Sequence, residues 1–200
     1  VAHRKLGDLA GLGARNVGHR HDLRRHVARR CALADLFPDL RHQRIVKHRA
    51  WDEADAQRAL GEPALARLQA RVAASEQVHS GEIRICIEAG LPLSYLWRDA
   101  MARERAVAMF GKLRVWDTES NNGVLIYLLL AEHAIELVVD RGLARRVDAA
   151  EWQRVVAGMG LAFRERRFED GLMQAIEHVD GLLAEHFALA PGQANPNELP

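Results

Sequence analysis

The stretch VWDTESNNGVLIYLLL, Val115–Leu130, changes character at Gly123 and constrains the fold more than any other part of the chain. Val124–Ala131 is the longest apolar run in the sequence. It falls far short of the roughly 20 apolar residues that a membrane-spanning helix needs. Its length suits one strand. Being apolar at odd and even positions alike, it needs cover on both faces, as a central strand between two helical layers has. Immediately before it stand Asp117, Thr118, Glu119, Ser120, Asn121 and Asn122. A chain that builds this strand into its centre brings a dense set of oxygens to the end of it.

The flanking pattern supplies the other layers. A helix is predicted from Glu62-Pro63 to about Gln77, with Pro near its first turn and Leu65, Leu68 and Val72 on one face. His79-Ser80-Gly81 turns the chain into a strand, Glu82–Glu88, where Ile83, Ile85 and Ile87 alternate with other residues. Gly90-Leu91-Pro92 ends it, and Arg98–Phe110 reads as a second helix. After the apolar strand, Ala131-Glu132-His133 is short enough only for a hairpin, and Ala134–Asp140 alternates as an edge-like strand does. Asp148 and Glu151 have capping-box spacing before a helix carrying Trp152, Val155, Val156, Met159 and Phe163. Phe168, Leu172, Ile176, Val179, Leu183 and Phe187 mark a last helix, and residues 188–200, which include PGQANPNELP (Pro191–Pro200), read as a disordered tail.

A strand–helix–strand unit calls for parallel strands with a right-handed crossover. The expected fold is a three-layer α/β/α sandwich whose small mixed sheet has a parallel pair and an antiparallel edge strand. The domain is placed at residues 44–187.

Composition bounds the rest. At 48% apolar and 28% charged residues the chain is an ordinary globular one. The net charge of +1 conceals an asymmetry: residues 1–50 hold 12 Lys/Arg against 4 Asp/Glu, and six of the ten histidines. Residues 1–43 are therefore read as a basic, poorly ordered leader. A solvated extension is the preferred reading, with contact to acidic surfaces, nucleic acid or membrane, as the sharper alternative. No signal-peptide pattern opens the sequence and no transmembrane segment is expected, which favours a cytoplasmic protein, with membrane association left open. Cys31 and Cys86 have no metal-ligand spacing, and Cys86 reads as a buried, inert thiol.

Topology carries the oxygens to one place. The Asp117–Asn122 loop enters the central strand at its N-terminal end. The parallel neighbour begins there with His79, Ser80 and Glu82, and the antiparallel neighbour returns there with Asp140 and Arg141. Carboxylates and amides without a lysine cluster favour Ca²⁺ or Mg²⁺. Asp117, Asn121, Asn122 and Asp140 are the candidate metal ligands, with His79, Glu82, Glu119 and Arg141 as rim contributors. The spacing is not that of an EF-hand, since Asn122 and Leu128 stand where a glycine and a glutamate belong. The competing structural reading makes Asn122-Gly123 a left-handed turn, with Asp117 and Thr118 capping loop amides. The opposite rim holds Glu88, the Gly90-Leu91-Pro92 turn, Glu132 and His133, without a phosphate-binding glycine loop, so no nucleotide cofactor is expected.

HSGEIRICIE (His79–Glu88), FGKLRVWDTESNNGVLIYLLL (Phe110–Leu130), IELVVDRGL (Ile135–Leu143) and the Trp152 helix resemble the TPM-domain family. The likeness is closest to its short bacterial members, covers roughly residues 62–187, and extends to the terminal NELP. The resemblance implies an α/β/α sandwich. Plant members are thylakoid-lumen proteins linked to photosystem II repair, with acid phosphatase activity and bound calcium; others are secreted or membrane-tethered. Carried over by position, Asp117, Asn121, Asn122 and Asp140 correspond to the family's acidic rim. Many relatives have G-Y-G-L-E where this chain has Asp140-Arg141-Gly142-Leu143, so one glutamate of that pattern is missing. Two functions follow: a cation-binding module that assembles with a protein partner, or a metal-assisted phosphomonoesterase in which the metal polarises a phosphoryl oxygen and Arg141 stabilises charge.

Overall fold

The computed structural model describes residues 38–50, 52–190, 192, 193 and 195. The leader up to residue 37 and the tail from residue 196 lie outside them. The chain divides into two compact units at Arg44/Ile45. The described part of the first is the opening half of helix α1 (Pro38–Arg49). This helix begins at Pro38, where proline serves as a helix start.

The second unit is built on a three-stranded sheet of order β1-β2-β3: β1 (Ile83–Glu88), β2 (Val124–Leu129) and β3 (Ala134–Val139). β1 runs parallel to β2 with Ile83 opposite Val124, and β3 antiparallel with Val139 opposite Val124. Every residue of β2 is buried. Leu125, Tyr127 and Leu129 join Val138 on one face, covered by Leu96 of α3 (Leu93–Trp97) and by Ala102, Ala106 and Met109 of α4 (Ala102–Lys112). Val124 and Ile126 join Ile83 and Leu137 on the other, covered by α2 (Glu53–Ser75), α6 (Ala149–Arg164) and α7 (Phe168–Phe187). The expected α/β sandwich with a small mixed sheet is the observed architecture.

Several local expectations are corrected. The helix expected from Glu62 is preceded by a further helical stretch, and the two meet at Gly61 (φ 60°, ψ 153°). Pro63 cannot continue a helix through that point, and glycine readily takes the positive φ that the kink requires. The helix expected over Arg98–Phe110 starts only at Ala102, and a separate short helix, α3, precedes it. Between α3 and α4, Asp99 is left-handed (φ 52°), and the Glu104 carboxylate accepts the Met101 N–H (3.1 Å) to start the second. In place of a simple hairpin, Leu130–Glu132 forms a 3₁₀ turn closed by left-handed His133. Asp148 caps the Ala150 N–H as expected, whereas Glu151 turns to Arg154 and His178 instead of completing a capping box. Beyond Phe187 the chain pairs back: Ser80 N–H donates to Phe187 O (3.0 Å) and Leu189 N–H to Val78 O (3.1 Å). No helix among the described residues is long and apolar enough to cross a membrane.

Candidate functional site

Three segments are laced together at the N-terminal ends of β1 and β2. Val124 N–H donates to Glu82 O (2.8 Å), Asp140 N–H to Gly123 O (2.9 Å) and Gly142 N–H to Asn121 O (2.8 Å). This weave demands both of its glycines. A Cβ at position 123 would lie 1.9 Å from Val115 O, and one at position 142 would lie 2.3 Å from Ser120 O. The motifs NNG and DRG are thus two halves of one backbone contact. The left-handed residue of the loop is Asn121 (φ 51°), not the Asn122-Gly123 pair, and asparagine tolerates that region better than most residues.

Within the weave two candidate ligands are buried. Asn122 is fully enclosed; its N–H donates to Thr118 Oγ1 (3.1 Å) and its Nδ2 to Ser80 Oγ (3.1 Å), while Oδ1 meets no donor among the described residues. Asp140 is 8% exposed; Oδ1 accepts the Arg141 N–H (2.6 Å) as the cap of α5 (Arg141–Ala144), and Oδ2 is buried and meets no donor among the described residues. Asp117 and Glu119 are exposed. Asn121 Oδ1 accepts from Arg141 Nε (2.9 Å). Among the described residues no three of His, Cys, Asp and Glu are grouped to hold a metal. The convergence of Asp117, Asn121, Asn122 and Asp140 read from topology therefore reduces, at the buried level, to Asn122 and Asp140. Two enclosed oxygens without donors are costly. Each is an open acceptor that an ordered water could satisfy, or that a hard cation could take together with backbone carbonyls and water.

Glu82 and His79 lie deeper than their role as rim contributors implies. Glu82 is buried and shares a hydrogen bond with Glu76, which also accepts the Ile83 N–H. Burial raises the Glu76 carboxyl above its ordinary range, and a bond between two carboxyls needs one proton. His79 is fully buried, with Nε2 3.2 Å from Asp180 Oδ1 at an angle poor for a hydrogen bond; Arg71 binds the other oxygen (2.6 Å). Burial lowers the His79 pKa against the pull of the Asp180 charge. Glu76, Arg71 and Asp180 were not singled out in the sequence. Asp180, set between Val179 and Leu183 on an apolar helix face, carried the only signal.

The opposite rim is a satisfied network. Glu88 accepts from Tyr127 OH (2.7 Å) and from Arg105 through Nε (2.8 Å) and NH2. Burial alone would raise the Glu88 carboxyl, yet these bonds hold it below its ordinary value, while the Tyr127 phenol is pushed up by burial and by Glu88. His48 Nδ1 accepts the Leu91 N–H (3.0 Å), which makes Nε2 the protonated nitrogen facing Glu132 Oε1 (3.0 Å). Gly90 is required there, because a Cβ would lie 2.6 Å from His48 O. Burial lifts the Cys86 thiol to about 11, in keeping with an inert cysteine.

Comparison with known proteins places this geometry. The family model described as TPM domain matches residues 54–182. The BA42 protein of the psychrophilic bacterium Bizionia argentinensis, solved by NMR, superposes with a TM-score of 0.61 at 24% identity, over 68% of this chain and 90% of that one. The N-terminal domain of a P. gingivalis protein, also solved by NMR, gives 0.52 at 19% identity, over 66% and 82%. These likenesses show the fold. A search among curated proteins returns no match.

Proposed function

Because the chain belongs to the TPM-domain family, we propose that the rim at the start of β2 binds a hard divalent cation, Ca²⁺ or Mg²⁺, and that the domain serves as a binding and assembly module. The observation that carries this reading is that Asn122 Oδ1, just before β2, and Asp140 Oδ2, just after β3, are buried and meet no donor among the described residues. The cation would take its remaining ligands from nearby carbonyls, exposed carboxylates such as Asp117, and water. Anything that binds only the folded state raises its stability by mass action. Adding millimolar Ca²⁺ or Mg²⁺ should raise the melting temperature of the wild type, and Asp140→Asn should abolish the response. A wild type indifferent to both cations removes the metal reading and leaves a buried water as the donor.

The alternative, a metal-assisted phosphomonoesterase, uses the same cation and adds two demands. Arg141 meets one: it is exposed, held at Nε by Asn121, and sited to meet phosphoryl charge. The other is a group to activate water. Ser80 Oγ accepts from Asn122 and faces Phe187 O, and His79 is sealed against Asp180. Binding without turnover is thus the reading better supported. Phosphate release from p-nitrophenyl phosphate that requires added cation and falls in Arg141→Ala would reverse that preference.

A further inference from the structure

We propose that the outer edge of β1 pairs antiparallel with β1 of a second copy of this chain, on a two-fold axis through Cys86. The sheet has two outer edges, and the chain treats them differently. On β3, Arg103 donates to Leu137 O (2.5 Å) and lies 3.5 Å from Glu136, so a side chain occupies that edge. On β1 the parallel ladder sets which groups look outward. Val124 N–H donates to Glu82 O, so the backbones of Arg84, Cys86 and Glu88 turn to β2 and those of Ile83, Ile85 and Ile87 turn away. Glu76 takes the Ile83 N–H. The N–H and C=O groups of Ile85 and Ile87 have no hydrogen-bond partner among the described residues, and both residues are partly exposed. A short β-branched strand with open amides is a template for another strand.

The sequence of the strand, IRICIE, selects the occupant. Outward groups must face outward groups, so a two-fold axis can pass through Ile85, Cys86 or Ile87. Through Ile85 it sets Glu82 against Glu88, like charge on like charge. Through Ile87 it sets Arg84 against Gly90 and Cys86 against Glu88, with no ion pair. Through Cys86 it sets Arg84 against Glu88 and Ile85 against Ile87, each twice. Opposite charges and paired β-branched residues both stabilise a strand pair. The contact is self-complementary and closes as a dimer with one continuous sheet.

In this register the two Cys86 residues form a non-hydrogen-bonded pair with Cα atoms about 4.5 Å apart, close enough to bridge. Their raised pKa keeps the thiols from reacting unaided at neutral pH. The test uses the full chain in chelator, so it is independent of any bound cation. In a Cys31→Ser background, added diamide should convert the protein to a disulfide-linked dimer through Cys86. Sedimentation without oxidant should give about twice the 22.4 kDa chain mass. Arg84→Glu, with folding verified by circular dichroism, should weaken self-association by roughly tenfold or more. A monomer at all accessible concentrations, or a dimer indifferent to Arg84→Glu that fails to link through Cys86, overturns the proposal. Should Arg84→Glu not fold, Arg84→Gln, which removes the ion pairs without adding like charge, takes its place in the same sedimentation measurement, and unchanged association overturns the proposal.

Discussion

The two ends of the sheet are made from the same three strands and solve the burial of polar groups in opposite ways. At the C-terminal end of the parallel pair, Glu88 has two donors, Arg105 is its counter-ion, and His48 is placed between an amide and a carboxylate. At the N-terminal end the three segments are laced by backbone bonds, but Asn122 and Asp140 each keep one enclosed oxygen without a donor among the described residues. A rim whose charges are all paired is architecture. A rim whose backbone is laced but whose side chains keep open acceptors is where the proposed cation would bind.

The largest expected effect strikes what the two rims share. Leu128 is 1% exposed in the middle of β2. Leu128→Asp should abolish cooperative melting, since an unpaired buried charge costs several kcal/mol, a large part of a domain's 5–15 kcal/mol. A folded Leu128→Asp protein would remove β2 from the centre and both rims with it.

The next separates the rims. Glu88→Ala strands a largely buried Arg105 and the Tyr127 hydroxyl, and should lower stability by about 2 kcal/mol in urea unfolding. Asp140→Asn keeps the Oδ1 that caps Arg141 and should leave the cation-free protein within about 0.5 kcal/mol of wild type. Equal losses would mean that Asp140 is architecture too.

The smallest effect is in the pH dependence. Because the native state holds the Glu76 proton more tightly than the unfolded chain, stability should decline as pH rises from the ordinary glutamate range through the raised value. Glu76→Gln keeps an acceptor for Ile83 and a donor for Glu82, so it should flatten that decline. His79 acts in the opposite sense: its lowered pKa removes stability as pH falls below the ordinary histidine range. Melting temperatures across pH 4–8 in the two proteins resolve these opposing slopes.

How far the sequence reaches follows the same division. The central strand, the strand order and the family were legible, because an apolar run with no polar face has one comfortable place in a small α/β domain. The rim's location was legible for the same topological reason. Its depth was not. Asp117 and Asn122 belong to one polar run, yet one is exposed and the other enclosed, because the weave forced by Gly123 and Gly142 turns only some of that run inward. The ion pairs of Arg71 with Asp180 and of His48 with Glu132 join residues more than 80 positions apart, and no local spacing records them. Helix α1 was missed because its sequence, PDLRHQRIVKHR, has too little apolar surface to declare a face.

The most direct test of the central claim is a thermal-shift series on wild type, Asp140→Asn and Glu88→Gln, each with chelator and with millimolar Ca²⁺ or Mg²⁺. An unsatisfied rim that takes a cation predicts a rise in melting temperature for wild type and for Glu88→Gln, from its lower baseline, and none for Asp140→Asn. If no cation moves the wild type, or if Asp140→Asn responds as strongly as wild type does, the incomplete rim is not a cation site and the account fails.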